Sequence, residues 1–174
     1  ERVRAEVDTP MLVMSYWNPV LRYGVDDFAQ ALEDSGAQGM ITPDLIPDEG
    51  ASWIDAASRR DLDHVFLVAP SSSDARVKAN SAASQGFVYS VSTMGITGER
   101  ANLDQLARQV VGKVKDLGTA PTCVGVGISS AEQVREVNSY ADGAIVGTAF
   151  VKAYESGGLE GLTEKTRELA RGLG

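Results

Sequence analysis

His64-Val65-Phe66-Leu67-Val68-Ala69-Pro70 is an almost unbroken apolar run closed by a proline. A helical segment over Ser73 to Ser84 follows it, and then a second apolar run, Gly86-Phe87-Val88-Tyr89-Ser90-Val91-Ser92. A strand with one wet face alternates apolar and polar residues; a continuous apolar run suits a parallel strand buried on both faces. Ser72 or Ser73 is placed to cap the intervening helix, since a hydroxyl oxygen there accepts from a first-turn amide. Residues 64–92 therefore read as strand, helix, strand. Upstream, Met11 to Trp17 is a short apolar run halted by Asn18-Pro19, and Asp26 to Ser35 carries Phe28, Ala31 and Leu32 as a helical stripe closed by Gly36. Gly39-Met40-Ile41-Thr42 reads as strand up to Pro43, and Ala51 to Arg60 as helix. Downstream come a helix over Leu103–Leu117, the strand Thr122-Cys123-Val124-Gly125-Val126, a helix over Ser130–Asn138, the strand Gly143-Ala144-Ile145-Val146, and a last helix over Thr163–Leu173.

The count is six βα units in one domain, residues 1–174, with no linker or low-complexity stretch. Alternating units of this kind define an α/β fold with a parallel sheet. Two architectures remain open on pattern alone: an open doubly wound sheet, or a (β/α)8 TIM barrel that is incomplete, lacking two units. A closed barrel typically takes about 250 residues, and this chain has 174. Its beginning, Glu1-Arg2-Val3-Arg4-Ala5-Glu6-Val7, is charged and helical in character, with no initiator Met, cap residue or preceding turn. That predicts a chain opening in mid-helix, with an N-terminal region missing.

The formal net charge of −8 argues against nucleic acid or an acidic membrane surface, either of which selects a clustered basic face. No apolar run approaches the roughly 20 residues of a membrane span. One cysteine, Cys123, and one histidine, His64, allow neither an internal disulfide nor a His/Cys metal cluster, so no metal is expected. A reducing, cytoplasmic setting is the expectation. His64, after Asp61-Leu62-Asp63, reads as a surface or strand-edge residue. Cys123 reads as an inert thiol within an apolar strand, and Ser71-Ser72-Ser73 as helix capping.

Ligands of either architecture bind at the C-terminal ends of the strands. Glycine-bearing loops occupy that position in the last three units: Gly95-Ile96-Thr97-Gly98, Gly125-Val126-Gly127-Ile128-Ser129-Ser130 and Gly147-Thr148-Ala149. Glycine lets backbone N–H groups approach a ligand, and a following helix N-terminus adds unpaired donors and a favourable dipole. Such loops converge into an anion site that needs no Lys or Arg. Neither a G-x-G-x-x-G nor a Walker pattern is present, which argues against a dinucleotide or nucleoside triphosphate.

Five ordered motifs, Pro10 to Pro19, Thr42 to Glu49, Ser92 to Gly98, Val124 to Ser129 and Asp142 to Ala149, resemble successive motifs of the tryptophan synthase alpha chain family. The resemblance covers essentially the whole chain and implies strands 3 to 8 of a (β/α)8 barrel. It implies retro-aldol cleavage of indole-3-glycerol phosphate to indole and glyceraldehyde 3-phosphate. By position, the amides of Gly98, Gly127, Gly147 and Thr148 would hold the phosphate, assisted by the Thr148 hydroxyl. Tyr16, Tyr89, Val126 and Ile145 would line the indole pocket, and Thr97 would sit on the loop that closes over substrate and orients a catalytic acid. Asn18, Pro19, Asp44 and Pro47 would face the family's beta chain in an α2β2 complex. Pyridoxal phosphate is expected on that beta chain and no cofactor on this one.

The departures from the family carry equal weight. C–C cleavage with protonation of the indole ring needs two placed carboxylates. The family's acid/base glutamate and aspartate belong to the second barrel strand and the loop after it, before the region that this chain resembles. No catalytic residue is therefore assigned here beyond Thr97. Asp44 and Glu49 are carboxylates near a strand end, but Glu49 reads as a first-turn acid of the helix over Ala51–Arg60. Thr93-Met94 stands where some relatives carry Arg-Ser. Two alternatives remain: an inactive fragment that retains only phosphate or beta-chain binding, or another phosphate-binding TIM-barrel enzyme, such as a sugar-phosphate isomerase or an indole-glycerol-phosphate synthase relative. The second alternative calls for a Lys or an acid pair ending one of the strands, and none is evident; Lys152 falls in the following helical segment. Six strands of an unclosed barrel leave apolar edges at Met11–Trp17 and Gly143–Val146, which invite pairing with other chains. The 174-residue polypeptide alone is expected to oligomerise or precipitate; a monomer in light scattering with one cooperative unfolding transition would contradict this.

Overall fold

The computed structural model describes residues 2–91, 100–118, 120–125 and 127–173, and for 100–104 only the backbone. The strands are β1 (Leu12–Met14), β2 (Gly39–Ile41), β3 (Asp63–Val65), β4 (Leu67–Val68), β5 (Val88–Val91), β6 (Thr122–Gly125) and β7 (Gly143–Ala144). The helices are α1 (Trp17–Tyr23), α2 (Val25–Ser35), α3 (Ala51–Ser58), α4 (Asp74–Ala83), α5 (Arg100–Leu117), α6 (Ala131–Asn138) and α7 (Thr148–Ala170). Every strand pair is parallel. The pairing order is β1-β2-β3 in one ladder and β4-β5-β6-β7 in the other.

The apolar run that decided the reading joins the two ladders. Its first half, β3, pairs with β2, and its second half, β4, pairs with β5. At the junction the Phe66 amide donates to Ser84 Oγ at 3.2 Å instead of to a neighbouring strand. The ladder resumes at once, since the Phe66 carbonyl accepts from the Tyr89 amide at 3.1 Å. The result is one arc of six strand positions in strict chain order. A doubly wound sheet reverses its strand order at a switch point. This order never reverses, so the arc is part of a (β/α) barrel.

Alternation along the strands separates two faces. Val88, Ser90, Thr122 and Val124 are buried, whereas Tyr89, Val91, Cys123 and Gly125 are half-buried. The buried set packs against helices. Val68, Val77, Val88, Val110 and Val114 form one cluster under α4 and α5, and Val124, Val134, Val137 and Leu169 belong to a second under α6 and α7. A third cluster joins Val20, Leu32, Met40, Leu45, Trp53 and Phe66 around α1 to α3. Ser90 and Thr122 satisfy each other across this buried face, hydroxyl to hydroxyl at 2.7 Å.

Several expectations are corrected. Residues 2–6 form turns rather than a helix. The run expected to extend to Trp17 is strand only to Met14, because Trp17-Asn18-Pro19 opens α1, where a proline in the first turn forfeits no intrahelical hydrogen bond. The last strand is two residues long, and α7 is two helical segments separated at the non-helical Gly158 (φ 58°, ψ −146°), the first starting at Thr148 and the second ahead of the expected Thr163. His64 is buried, at 5% exposure, within β3 opposite Met40. Its ring stands edge-on to Phe66, because the polar stretch before it ends where a central strand begins. Glu49 precedes α3 in a turn closed by its own amide on the Ile46 carbonyl, and the first turn of α3 holds no acid. Ser73 does cap α4, its Oγ accepting from the Arg76 amide at 3.3 Å.

Gly39 lies where β2 runs closest to β3, and a Cβ there would strike the Asp63 carbonyl. Gly112, exposed on α5, would meet nothing. Gly39→Ala is expected to lower stability by about 2 kcal/mol through overpacking, and Gly112→Ala to raise it by about 0.5–1 kcal/mol through the glycine entropy penalty in helices. Urea unfolding of both variants checks this; equal shifts of the same sign would refute it.

Candidate functional site

Partnered residues in a parallel ladder project to the same face, so register assigns the lining of the arc's concave side. Leu67 pairs with Tyr89, Tyr89 with Cys123, and Cys123 with Gly143. One step further along, Val91 pairs with Gly125. The next position on β7's line is Ile145, whose amide donates to the Val124 carbonyl at 2.8 Å. Tyr89 and Ile145, both expected to line a pocket, therefore share a face. Leu67, Val91 and Cys123, which carry no motif signal, join them. Strand alternation from Tyr89 could have picked out Val91, but Leu67 and Cys123 needed the register.

Tyr89 is held across Gly125. An ideal Cβ at Gly125 would sit 2.6 Å from the Tyr89 hydroxyl oxygen and 3.0 Å from the ring. Burial pushes the phenol above its ordinary pKa, so Tyr89 stays a neutral donor and acceptor near pH 7. The Cys123 thiol is also pushed up, first by burial and then by Asp142, which leaves it protonated and a poor nucleophile. Tyr16 is not brought to this group. It lies between β1 and α1 at the other side of the arc, caps α1 without a side-chain bond, and is 66% exposed.

The glycine loops reach the C-terminal ends of β6 and β7. Gly127 has φ +70°, a conformation glycine adopts without strain. Gly147 caps α7 with φ −126°, and Thr148 is that helix's first residue. In the first turn of α7 the Phe150 amide donates to the Gly147 carbonyl at 2.9 Å, which leaves the Thr148 and Ala149 amides without an intrahelical acceptor, beside an exposed Thr148. A Cβ at Gly147 would meet nothing within 4 Å. Packing within the described residues therefore does not call for glycine there. Thr97, Gly98 and Val126 lie outside the described residues.

On the rim, Asn18, Pro19 and Asp44 are exposed and Pro47 is half-buried. Asn18 and Pro19 lie in α1, and Asp44 and Pro47 in the loop between β2 and α3. The Asp44 carboxylate accepts the Trp17 amide, with both oxygens in range at 2.9 and 3.1 Å. Asp48 is engaged by Arg76 at 2.8 Å. A large cavity of about 810 Å³ lies along α7, where Lys165 pairs with Glu168, and Ser129 and Ala149 of the glycine loops also line it. It contains none of the concave-face residues, and the register places the candidate site on the concave face.

Fold and site together define a (β/α)-barrel protein whose ligand face is the C-terminal end of its strands, with glycine loops ending the last two. The sequence model of the tryptophan synthase alpha chain family matches residues 1–172. The chain is 56% identical over 170 residues to the tryptophan synthase alpha chain of Leifsonia xyli subsp. xyli, covering 98% of this chain and 65% of that one. It is 51% identical over 162 residues to the alpha chain of Mycobacterium intracellulare, covering 93% of this chain and 60% of the relative. A crystal structure of tryptophan synthase from M. tuberculosis, in an aminoacrylate-bound form, superposes with a TM-score of 0.88 at 45% identity, covering 98% of this chain and 64% of that one. A mutant tryptophan synthase alpha-subunit from Pyrococcus furiosus gives 0.83 at 31%, covering 97% and 69%. The chain belongs to the tryptophan synthase alpha chain family, and it spans 60–65% of the length of these curated relatives. Among the described residues, no helix is long and apolar enough to cross a membrane.

If Tyr89 and Gly125 are packed as described, Gly125→Ala should cost about 1–3 kcal/mol by overpacking. Tyr89→Phe removes the atom in closest conflict and should recover part of that loss. Urea unfolding of the two single variants and the double variant should give a coupling of at least about 0.5 kcal/mol; strict additivity would show that the two do not constrain each other.

Proposed function

We propose that this chain is the phosphate-holding, indole-facing part of a tryptophan synthase alpha subunit, which cleaves indole-3-glycerol phosphate to indole and glyceraldehyde 3-phosphate. The observation that carries the proposal is the placement of Gly147 and Thr148: they open helix α7 just beyond β7, with space around Gly147 and an exposed Thr148 beside it. The amides of Gly127, Gly147 and Thr148, with Gly98 from the lid loop, hold the phosphate, and the Thr148 hydroxyl donates to it. Five neutral donors suit a dianion when they converge on it, because charge-assisted hydrogen bonds are the stronger ones. Tyr89, Ile145 and Val126 line the indole pocket, Tyr16 contributes to it from the other side of the arc, and Thr97 orients the acid.

The concave-face residues named above include no carboxylate. Asp44 and Asp48 are already engaged with Trp17 and Arg76. The two carboxylates required for proton transfer belong, on this reading, to the part of the family's length that this chain does not span. The partner is the beta chain, in an α2β2 assembly, facing Asn18, Pro19, Asp44 and Pro47. Pyridoxal phosphate belongs to the beta chain, this chain takes no cofactor, and the setting is the cytoplasm. A different phosphate-binding barrel enzyme is disfavoured by the family match over residues 1–172.

Titration of the 174-residue chain with inorganic phosphate should show binding. Gly147→Ala and Thr148→Val should each weaken it about tenfold, the scale of one hydrogen bond to a charged group, with the melting temperature nearly unchanged. The same chain should release no indole from indole-3-glycerol phosphate. Failure to bind phosphate would remove the cradle; indole release would transfer the acid and base roles to Asp44 and Glu49.

A further inference from the structure

The β1–β2 ladder ends with the Ser15 amide donating to the Ile41 carbonyl at 3.2 Å. Continued by the same offset, the next bond would join the Trp17 amide to the Pro43 carbonyl. The Trp17 amide instead meets the Asp44 carboxylate. A side chain from one loop thus takes over the ladder where its backbone leaves off, and holds the first residue of α1 from outside. Helix α1 has no acid of its own in its first turn, and its cap residue Tyr16 supplies no side-chain bond. Asp44 is therefore the anion at that helix start, favoured there by the unpaired amides and the dipole. Both ends of the contact are anchored: Val20 of α1 is fully buried, Leu45 next to Asp44 is 3% exposed, and the two belong to one core cluster. Among the described residues no cation pairs with Asp44, and its hydrogen-bond partner is the Trp17 amide.

We propose that Asp44 is a positioning residue: it clamps the β1–α1 and β2–α3 loops together so that Asn18, Pro19 and Pro47 present one surface to the protein partner, and it does not itself pair with a cation of that partner. The proposal rests on the beta-chain reading given above. It separates two roles that an exposed aspartate at an interface can play. A clamp needs an acceptor atom, which asparagine also supplies, whereas an intermolecular ion pair needs the charge.

The test compares Asp44→Asn and Asp44→Ala in the 174-residue chain, with the beta chain of the M. tuberculosis enzyme as the binding probe and inorganic phosphate as the control ligand. Asp44→Ala should weaken beta-chain binding about fivefold, the scale of one lost helix cap. It should speed amide exchange at Trp17 by a similar factor. Asp44→Asn should stay within about twofold of the parent on both measures, and phosphate affinity should not change in either variant. Raising NaCl from about 50 to about 500 mM, which shortens the screening length, should weaken the parent and Asp44→Asn in the same proportion. Equal loss in both variants, or a steeper salt dependence for the parent, would mean that the carboxylate meets the partner directly and would overturn the proposal. Unchanged Trp17 exchange in Asp44→Ala would overturn the clamp. If the parent chain does not bind the beta chain at all, the partner reading and the surface half of this proposal both fall, while Trp17 exchange still decides the clamp.

Discussion

The register of the parallel ladder from β4 to β7 is the constraint on which the site depends. Leu67, Tyr89, Cys123 and Gly143 stand in line because parallel pairing sends partners to one face. The same pairing sends Val68, Val88, Ser90, Thr122 and Val124 the other way, into the helix-covered core. A slip of one residue in any pair would exchange the two sets, burying Tyr89 under a helix and turning valines into the ligand face. The apolar core therefore does more than stabilise the sheet: by holding the register, it decides which side chains can meet a ligand.

Glycine serves different purposes at different points of this framework. At Gly39 the neighbouring strand's backbone leaves no room for a Cβ, and at Gly125 the Tyr89 ring occupies that room. At Gly127 the backbone conformation favours glycine. At Gly147 no neighbour among the described residues would meet a Cβ. Only the coordinates separate a glycine kept for packing from one left open toward the outside, and that distinction supports the phosphate reading. On the rim, the Asp44 bond to Trp17 shows the sheet's order extended into its loops by a side chain after a proline has turned the backbone aside.

The departures from the sequence reading share a physical origin. Asn18-Pro19 stops a strand, but the pattern does not show that a proline in a first helical turn starts a helix at the same point. The polar Asp61-Leu62-Asp63 made His64 look peripheral, yet burial of a strand residue depends on its neighbours in space, and β3 has β2 beside it. The segment from Thr148 to Leu162 is helical on either side of the non-helical Gly158, although Gly157 and Gly161 weaken helix propensity. Gly161 fits there because a Cβ would press on the Ala153 carbonyl as the chain bends back at Gly158.

By itself, the sequence determined the α/β class, the parallel direction, the six-unit count and the glycine loops that follow the last two strands. Apolar continuity, helical periodicity and glycine placement are local properties, and each is written into a few adjacent residues. The family was also legible there, because its motifs are contiguous. The unreversed strand order that selects a barrel over a doubly wound sheet was decided only in three dimensions. So were the alignment of Leu67 and Cys123 with Tyr89, the fit of Tyr89 over Gly125, and the reach of Asp44 to an amide 27 residues away. Each of these depends on which distant segments the hydrophobic core and the ladder hydrogen bonds bring together, and no local pattern encodes that.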